Sequence, residues 1–108
     1  LIKAKDYAGA LKELRVLEPN NPHPDVYNLI GYTLRKTGDR PQAMTYYNKA
    51  LALDPSHKGA LEYQGELFVE IGQIDKAREN LKRLNSLCWS DCEEEDDLKA
   101  FIAKAWKG

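Results

Sequence analysis

Residues 37–55 read TGDRPQAMTYYNKALALDP, and weaker copies flank that phrase: KDYAGALKEL over 5–14 and GQIDKARENL over 72–81. The offsets are 33 and 34 residues. Gly31 pairs with Gly65, Gly38 with Gly72 and Ala43 with Ala77 at a constant 34, and Ala10 precedes Ala43 by 33. Self-similarity at this period marks stacked supersecondary units, each too small to bury its apolar face alone.

Within one unit, DVYNLIGYTLRK sets Tyr27, Ile30, Gly31 and Leu34 on one face of a helix. Thr37 and Gly38 break that helix. Asp39 suits the N-cap of a second helix that turns Ala43, Tyr47, Ala50 and Leu51 inward, and Asp54-Pro55 stops it. The unit is therefore a helical hairpin. Gly31 and Gly65 let neighbouring helices approach, and Ala43 and Ala77 leave room for the large side chains opposite, so these four residues are assigned to packing.

These residues resemble the tetratricopeptide repeat, whose pattern runs W-x2-L-G-x2-Y, then A-x3-F, then P. In residues 24–57 the pattern falls on Tyr27, Ile30, Gly31, Leu34, Ala43, Tyr47 and Pro55. In residues 58–91 it falls on Leu61, Gln64, Gly65, Phe68, Ala77 and Leu81, with Trp89 where proline would stand. Residues 1–22 fit the closing half of a repeat, through Ala10, Leu14 and Pro22. The resemblance implies an all-α, right-handed α-solenoid of antiparallel helix hairpins, forming one domain. It divides into a partial first repeat over 1–22, repeats over 23–57 and 58–91, and a capping helix over 92–108.

The cap is legible in its own right. Leu98, Phe101, Ile102, Ala105 and Trp106 recur at helical spacing, and a solenoid needs a terminal helix because its last repeat otherwise exposes its core. Ser90 with Glu93 makes a capping-box signature, and the acidic run 93–97 suits the positive end of the helix dipole. The same run also fits docking of a basic partner or a loose divalent-cation site.

At 108 residues with 16 Lys plus Arg against 17 Asp plus Glu, the chain has one domain's length and lacks the basic footprint of a nucleic-acid binder. Charge is nonetheless uneven, about +3 over residues 1–58 and about −4 over 59–108. No apolar run is long enough for a membrane span, and no signal-peptide pattern is present. The chain starts at Leu1 rather than Met, and LIKA reads like the end of a helix, which leads us to expect further sequence upstream. No phosphate loop, nucleophile elbow or H-E-x-x-H motif occurs, so no catalytic residue, cofactor or metal is expected. Glu62 and Glu66 stand i, i+4 on one helix without an identifiable basic activator.

Cys88 and Cys92 are the only cysteines, spaced C-x3-C across the turn into the cap. That spacing permits a disulfide, two free thiols or a metal site, the disulfide being preferred, and it differs from the C-x-x-C redox motif. A shared zinc site with His23 and His57 is rejected, because successive turns of a solenoid lie too far apart for ligands to converge on one ion. Both histidines read as solvated turn residues.

The family resemblance further implies a function: binding a peptide or protein segment in a concave groove lined by the first helix of each hairpin. Carried onto this chain, the groove presents Asn28, Tyr32 and Arg35, with Asp25 and Leu29 beside them, then Glu62, Tyr63 and Glu66, with Val69. Leu29 and Tyr63 serve equally well to close the seam between repeats. Members of the family that clamp a C-terminal carboxylate use Lys, Asn and Arg on this face. Here Asn28 supplies one such group, but Tyr32, Gly59 and Tyr63 replace others, and Glu62 and Glu66 repel a carboxylate. The alternatives are a self-assembling scaffold, such as a homodimer through solenoid ends, and a thiol-dependent redox or metal-handling role. The cysteine pair and acidic helix after the last repeat are similar to small exported bacterial members of the family. That implies the periplasm if the pair is bridged, and the cytoplasm otherwise.

Overall fold

Glycine ends the first helix of each hairpin, and the two endings repeat bond for bond. Gly38 and Gly72 both take the left-handed conformation, φ 99° and 82°, which a side chain would strain. Gly38 N–H donates to Arg35 O and Asp39 N–H to Leu34 O, while Gly72 N–H donates to Val69 O and Gln73 N–H to Phe68 O. This double closure satisfies carbonyls that the helix end leaves open and turns the chain within two to three residues.

The computed structural model describes residues 23–88 and 92–105, which hold five α-helices and no strand. Residues 1–22, Trp89, Ser90 and Trp106, and the expectations attached to them, lie outside the described residues. The chain divides into two compact units that meet in sequence at Pro55 and Ser56.

The first unit holds α1, Pro24–Thr37, and α2, Arg40–Leu53. His23 starts α1: its backbone is extended and its Nδ1 accepts from Asp25 N–H at 3.1 Å, while Pro24 occupies a first-turn position that needs no donor. Asp25 at one end and Arg35 and Lys36 at the other suit the helix dipole. Asp39 caps α2 as expected, its Oδ1 accepting from Gln42 N–H at 3.2 Å. Asp54, held extended ahead of Pro55, ends it. Ile30, Leu34, Ala43, Tyr47 and Ala50 are buried between the helices, and Leu51 is only half-buried. A Cβ at Gly31 would lie 2.7 Å from the Tyr47 ring and 3.2 Å from Ala43 O, so the absence of a side chain is what lets the ring pack against α1.

The second unit holds α3, Lys58–Glu70, α4, Ile74–Leu87, and α5, Glu93–Ala105, with α5 packed on both α3 and α4. His57 caps α3 as His23 caps α1, its Nδ1 accepting from Ala60 N–H at 3.0 Å. Gln73 precedes α4 without a side-chain cap. Ala60, Leu61, Leu67, Ala77, Leu84 and Leu98 form the buried centre. Asn80, also buried, ties α4 to α3 by donating to Leu61 O and to Gln64 Oε1. The cap helix begins with Glu93, Glu94, Glu95 and Asp96, and it buries Leu98 and Ile102. Phe101 is half-buried and Ala105 is exposed, so the inward stripe ends earlier than its spacing suggests.

Candidate functional site

The residues expected to line a groove divide by burial. On α1, Asn28 and Arg35 are buried, with 7% and 6% of their surface exposed, whereas Tyr32 is half-buried and Leu29 stays 40% exposed. Lys36 Nζ lies 5.3 Å from the centre of the Tyr32 ring. Leu29, Tyr32 and Lys36 follow one another at i, i+3 and i+7, an apolar, aromatic and cationic strip along one side of α1. Behind it, Asn28 Oδ1 is buried with no hydrogen-bond partner.

On α3, Glu62 and Val69 are buried, and Tyr63 and Glu66 are half-buried. Burial pushes the Glu62 carboxyl from 4.5 up to about 9, helped by a hydrogen bond to Glu66 and by the negative charges of Glu66, Asp97 and Glu94. At neutral pH Glu62 therefore keeps its proton and shares it with Glu66.

At the junction of α4 and α5, the Sγ atoms of Cys88 and Cys92 lie 1.99 Å apart, at bonding distance, with Cα atoms 5.7 Å apart. Cys88 closes α4, its N–H donating to Leu84 O, and Cys92 opens α5, its carbonyl accepting from Asp96 N–H. Glu95 approaches the pair: one donor atom each from Cys88, Cys92 and Glu95 falls within 4.8 Å of the others. Asn85 Nδ2 donates to Glu95 Oε2. Beside them an open cavity of about 340 Å³ is lined by Arg78, Leu81, Lys82, Asn85, Glu95 and Lys99.

Sequence reasoning missed three things. The capping role of His23 and His57 has a visible signal, a hydrogen-bond acceptor just ahead of the first helical residue. The cavity has none, because it needs α5 laid against α4. Nor does the protonated state of Glu62, which depends on burial and on charges contributed by α5.

Two hairpins of matched length, closed by the same bonds at a 34-residue offset, meet two matches to the tetratricopeptide repeat, over residues 24–57 and 60–87. The chain belongs to the tetratricopeptide-repeat family. Among curated relatives it is 25% identical over 93 residues to the uncharacterized protein ycf37 of Pyropia yezoensis, a match spanning 86% of this chain and 52% of that one. It is 36% identical over 64 residues to the probable biofilm formation methyltransferase WspC of Pseudomonas putida, spanning 59% of this chain and 15% of the relative. It is 28% identical over 98 residues to the protein CTR9 homolog of Arabidopsis thaliana, spanning 89% of this chain and 8% of the relative. The tetratricopeptide chain thus spans about half, or much less, of the relatives it matches. The likeness to the methyltransferase is too short to bring methyl transfer with it. Tetratricopeptide repeats mark a protein–protein interaction module. Among the described residues, no helix is long and apolar enough to cross a membrane.

Proposed function

We propose that this chain is a non-catalytic adaptor that holds a peptide or protein segment on the first helices of its repeats. The observation that carries the reading is the strip on α1. Leu29 leaves 40% of its surface in water, Tyr32 stands beside it half-buried, and the Lys36 ammonium lies over the ring. A rigid aromatic next to an exposed aliphatic and a cation is the composition of an interface anchor, since tyrosine buries much area while losing little rotamer freedom. The second unit, taken by itself, has a half-buried aromatic and a half-buried acidic side chain on α3, Tyr63 and Glu66. Asn28, Arg35 and Glu62, being buried, act behind the contact surface by fixing the helices rather than by touching the ligand.

The test is a peptide selected from a random display library on the folded chain, then titrated by calorimetry into wild type, Tyr32→Ala and Glu66→Lys. Loss of about 2 kcal/mol in Tyr32→Ala, roughly thirtyfold, is expected with helix content unchanged. A smaller loss or reversed charge preference is expected in Glu66→Lys. Equal binding to all three proteins would sink the reading, and a mass that rises with concentration in sedimentation would favour the scaffold instead.

A further inference from the structure

The junction of α4 and α5 holds a donor set that neither the repeat pattern nor a peptide-binding role requires. Cys88 comes from the end of α4, while Cys92 and Glu95 come from the start of α5. Their donor atoms already lie within 4.8 Å of one another. Cys92 is buried and Cys88 and Glu95 are half-buried, so the set is partly withdrawn from water. Asn85, from the last turns of α4, holds Glu95 by its Oε2. A polar group that fixes the orientation of a carboxylate ligand is the kind of outer support that raises metal affinity. Glu94 Oε1 stands 3.8 Å from Cys92 Sγ and adds negative potential.

From this geometry we infer that the dithiol form of the chain binds one zinc-class divalent cation through Cys88 Sγ, Cys92 Sγ and a Glu95 carboxylate oxygen. Asn85 is the positioning residue. Two thiolates and one carboxylate suit a borderline-soft cation and leave a fourth tetrahedral position for water, whereas calcium and magnesium prefer sets made of oxygen alone. The bound set carries one net negative charge, and Lys82 and Lys99 line the cavity that Glu95 shares. The sequence left a metal site as one reading of the cysteine pair and named no third ligand for it; Glu95 supplies one.

The site is gated by oxidation. A dithiol reductant breaks the Cys88–Cys92 bond, becomes a disulfide itself and leaves two S–H groups on this chain. Cation binding then replaces two S–H bonds with two metal–sulfur bonds and releases two protons to solvent. Reoxidation by a small-molecule disulfide, which takes the two electrons and leaves as two thiols, re-forms the Cys88–Cys92 bond and expels the cation.

The full chain, reduced with a dithiol and freed of it by gel filtration under argon, is titrated with zinc against a chromophoric chelator. The oxidised chain runs in parallel. One zinc per reduced chain, none per oxidised chain and release of about two protons are expected. Glu95→Gln should weaken binding at least tenfold and Asn85→Ala about tenfold. Excess magnesium or calcium should displace nothing. Equal binding by oxidised and reduced chains, or by a reduced chain whose thiols have been alkylated, would show that the acidic run alone collects the ion and would overturn the proposal. So would no binding by the reduced chain, or unchanged affinity in Glu95→Gln. Alkylation serves in place of Cys→Ser variants should those fail to fold.

Discussion

The two units solve the same packing problem with different parts. In the first, the glycine on the first helix is covered by Tyr47 from the second helix of the same hairpin. In the second, Leu81 stands at the equivalent of Tyr47 but is only half-buried, and Gly65 is covered by Leu98 from α5. A smaller side chain stands at that position, and a third helix covers the glycine. Asn80 then clamps α4 to α3 with two buried hydrogen bonds, at the position where the first unit has Tyr46. The first hairpin seals its helix contact by aromatic fill, and the second by a polar clamp and a lid. Repeat identity in sequence therefore fixes the hairpin without fixing what closes it.

The strongest way to break this comparison is to remove each cover. Tyr47→Ala should cost about 3–5 kcal/mol and Leu98→Ala about 2–5 kcal/mol, read from denaturant midpoints. Amide exchange should then locate the damage in α1 and α2 for the first variant, and in α3 and α5 for the second. Damage spread evenly over both units in both variants would contradict separate closures.

Adding a methyl group under each cover sharpens the contrast. At Gly31 a Cβ meets a buried ring and a backbone carbonyl, neither of which can easily withdraw, so Gly31→Ala should cost about 1–3 kcal/mol. At Gly65 the new atom meets the methyl ends of Leu98, 2.6 Å and 2.8 Å away, which can turn aside. Gly65→Ala should therefore be the milder change, and the reverse order would be evidence against the geometry.

Among the described residues, the buried carboxyl is Glu62, in the second unit. The folded chain holds the Glu62 proton up to about pH 9, while the unfolded chain releases it near 4.5. The folded state thus binds more protons between these values, and stability falls as pH rises through the window. Glu62→Gln should stay more stable than wild type at pH 8.5, by at least about 1.4 kcal/mol, the worth of one pKa unit. The gap should close as pH approaches 5. Parallel stability curves for the two proteins would remove Glu62 as the cause.

Smaller effects are expected at the caps. Asp39→Ala should lose about 1 kcal/mol, and Gln73→Asp should gain about 0.5–1 kcal/mol by giving α4 the cap that α2 already has. At the bottom of the scale, an acidic peptide should bind equally well with a free or an amidated C-terminus, because Asn28 is buried. A loss on amidation in calorimetry would revive the carboxylate clamp.

Much of the fold was legible because it rests on local rules. Gly38 and Gly72 end helices through their own backbone freedom, Asp39 caps through its own side chain, and Asp54-Pro55 stops α2 by local sterics. The candidate site was legible only in part. The family resemblance singled out Asn28, Tyr32, Arg35, Glu62, Tyr63 and Glu66 on the first helices, but it could not divide them into buried and accessible residues. That division depends on which neighbours cover each side chain.

By itself, the sequence determined the hairpin, its 34-residue repetition and the bonds that close its helices, because turns and caps are settled within a few residues of chain. Only the tertiary structure decided that Leu98 covers Gly65, that Glu62 keeps its proton and that Glu95 joins Cys88 and Cys92. The first two depend on where α5 lies against α3 and the third on the angle between α4 and α5, and burial and charge proximity exist only once the helices have packed.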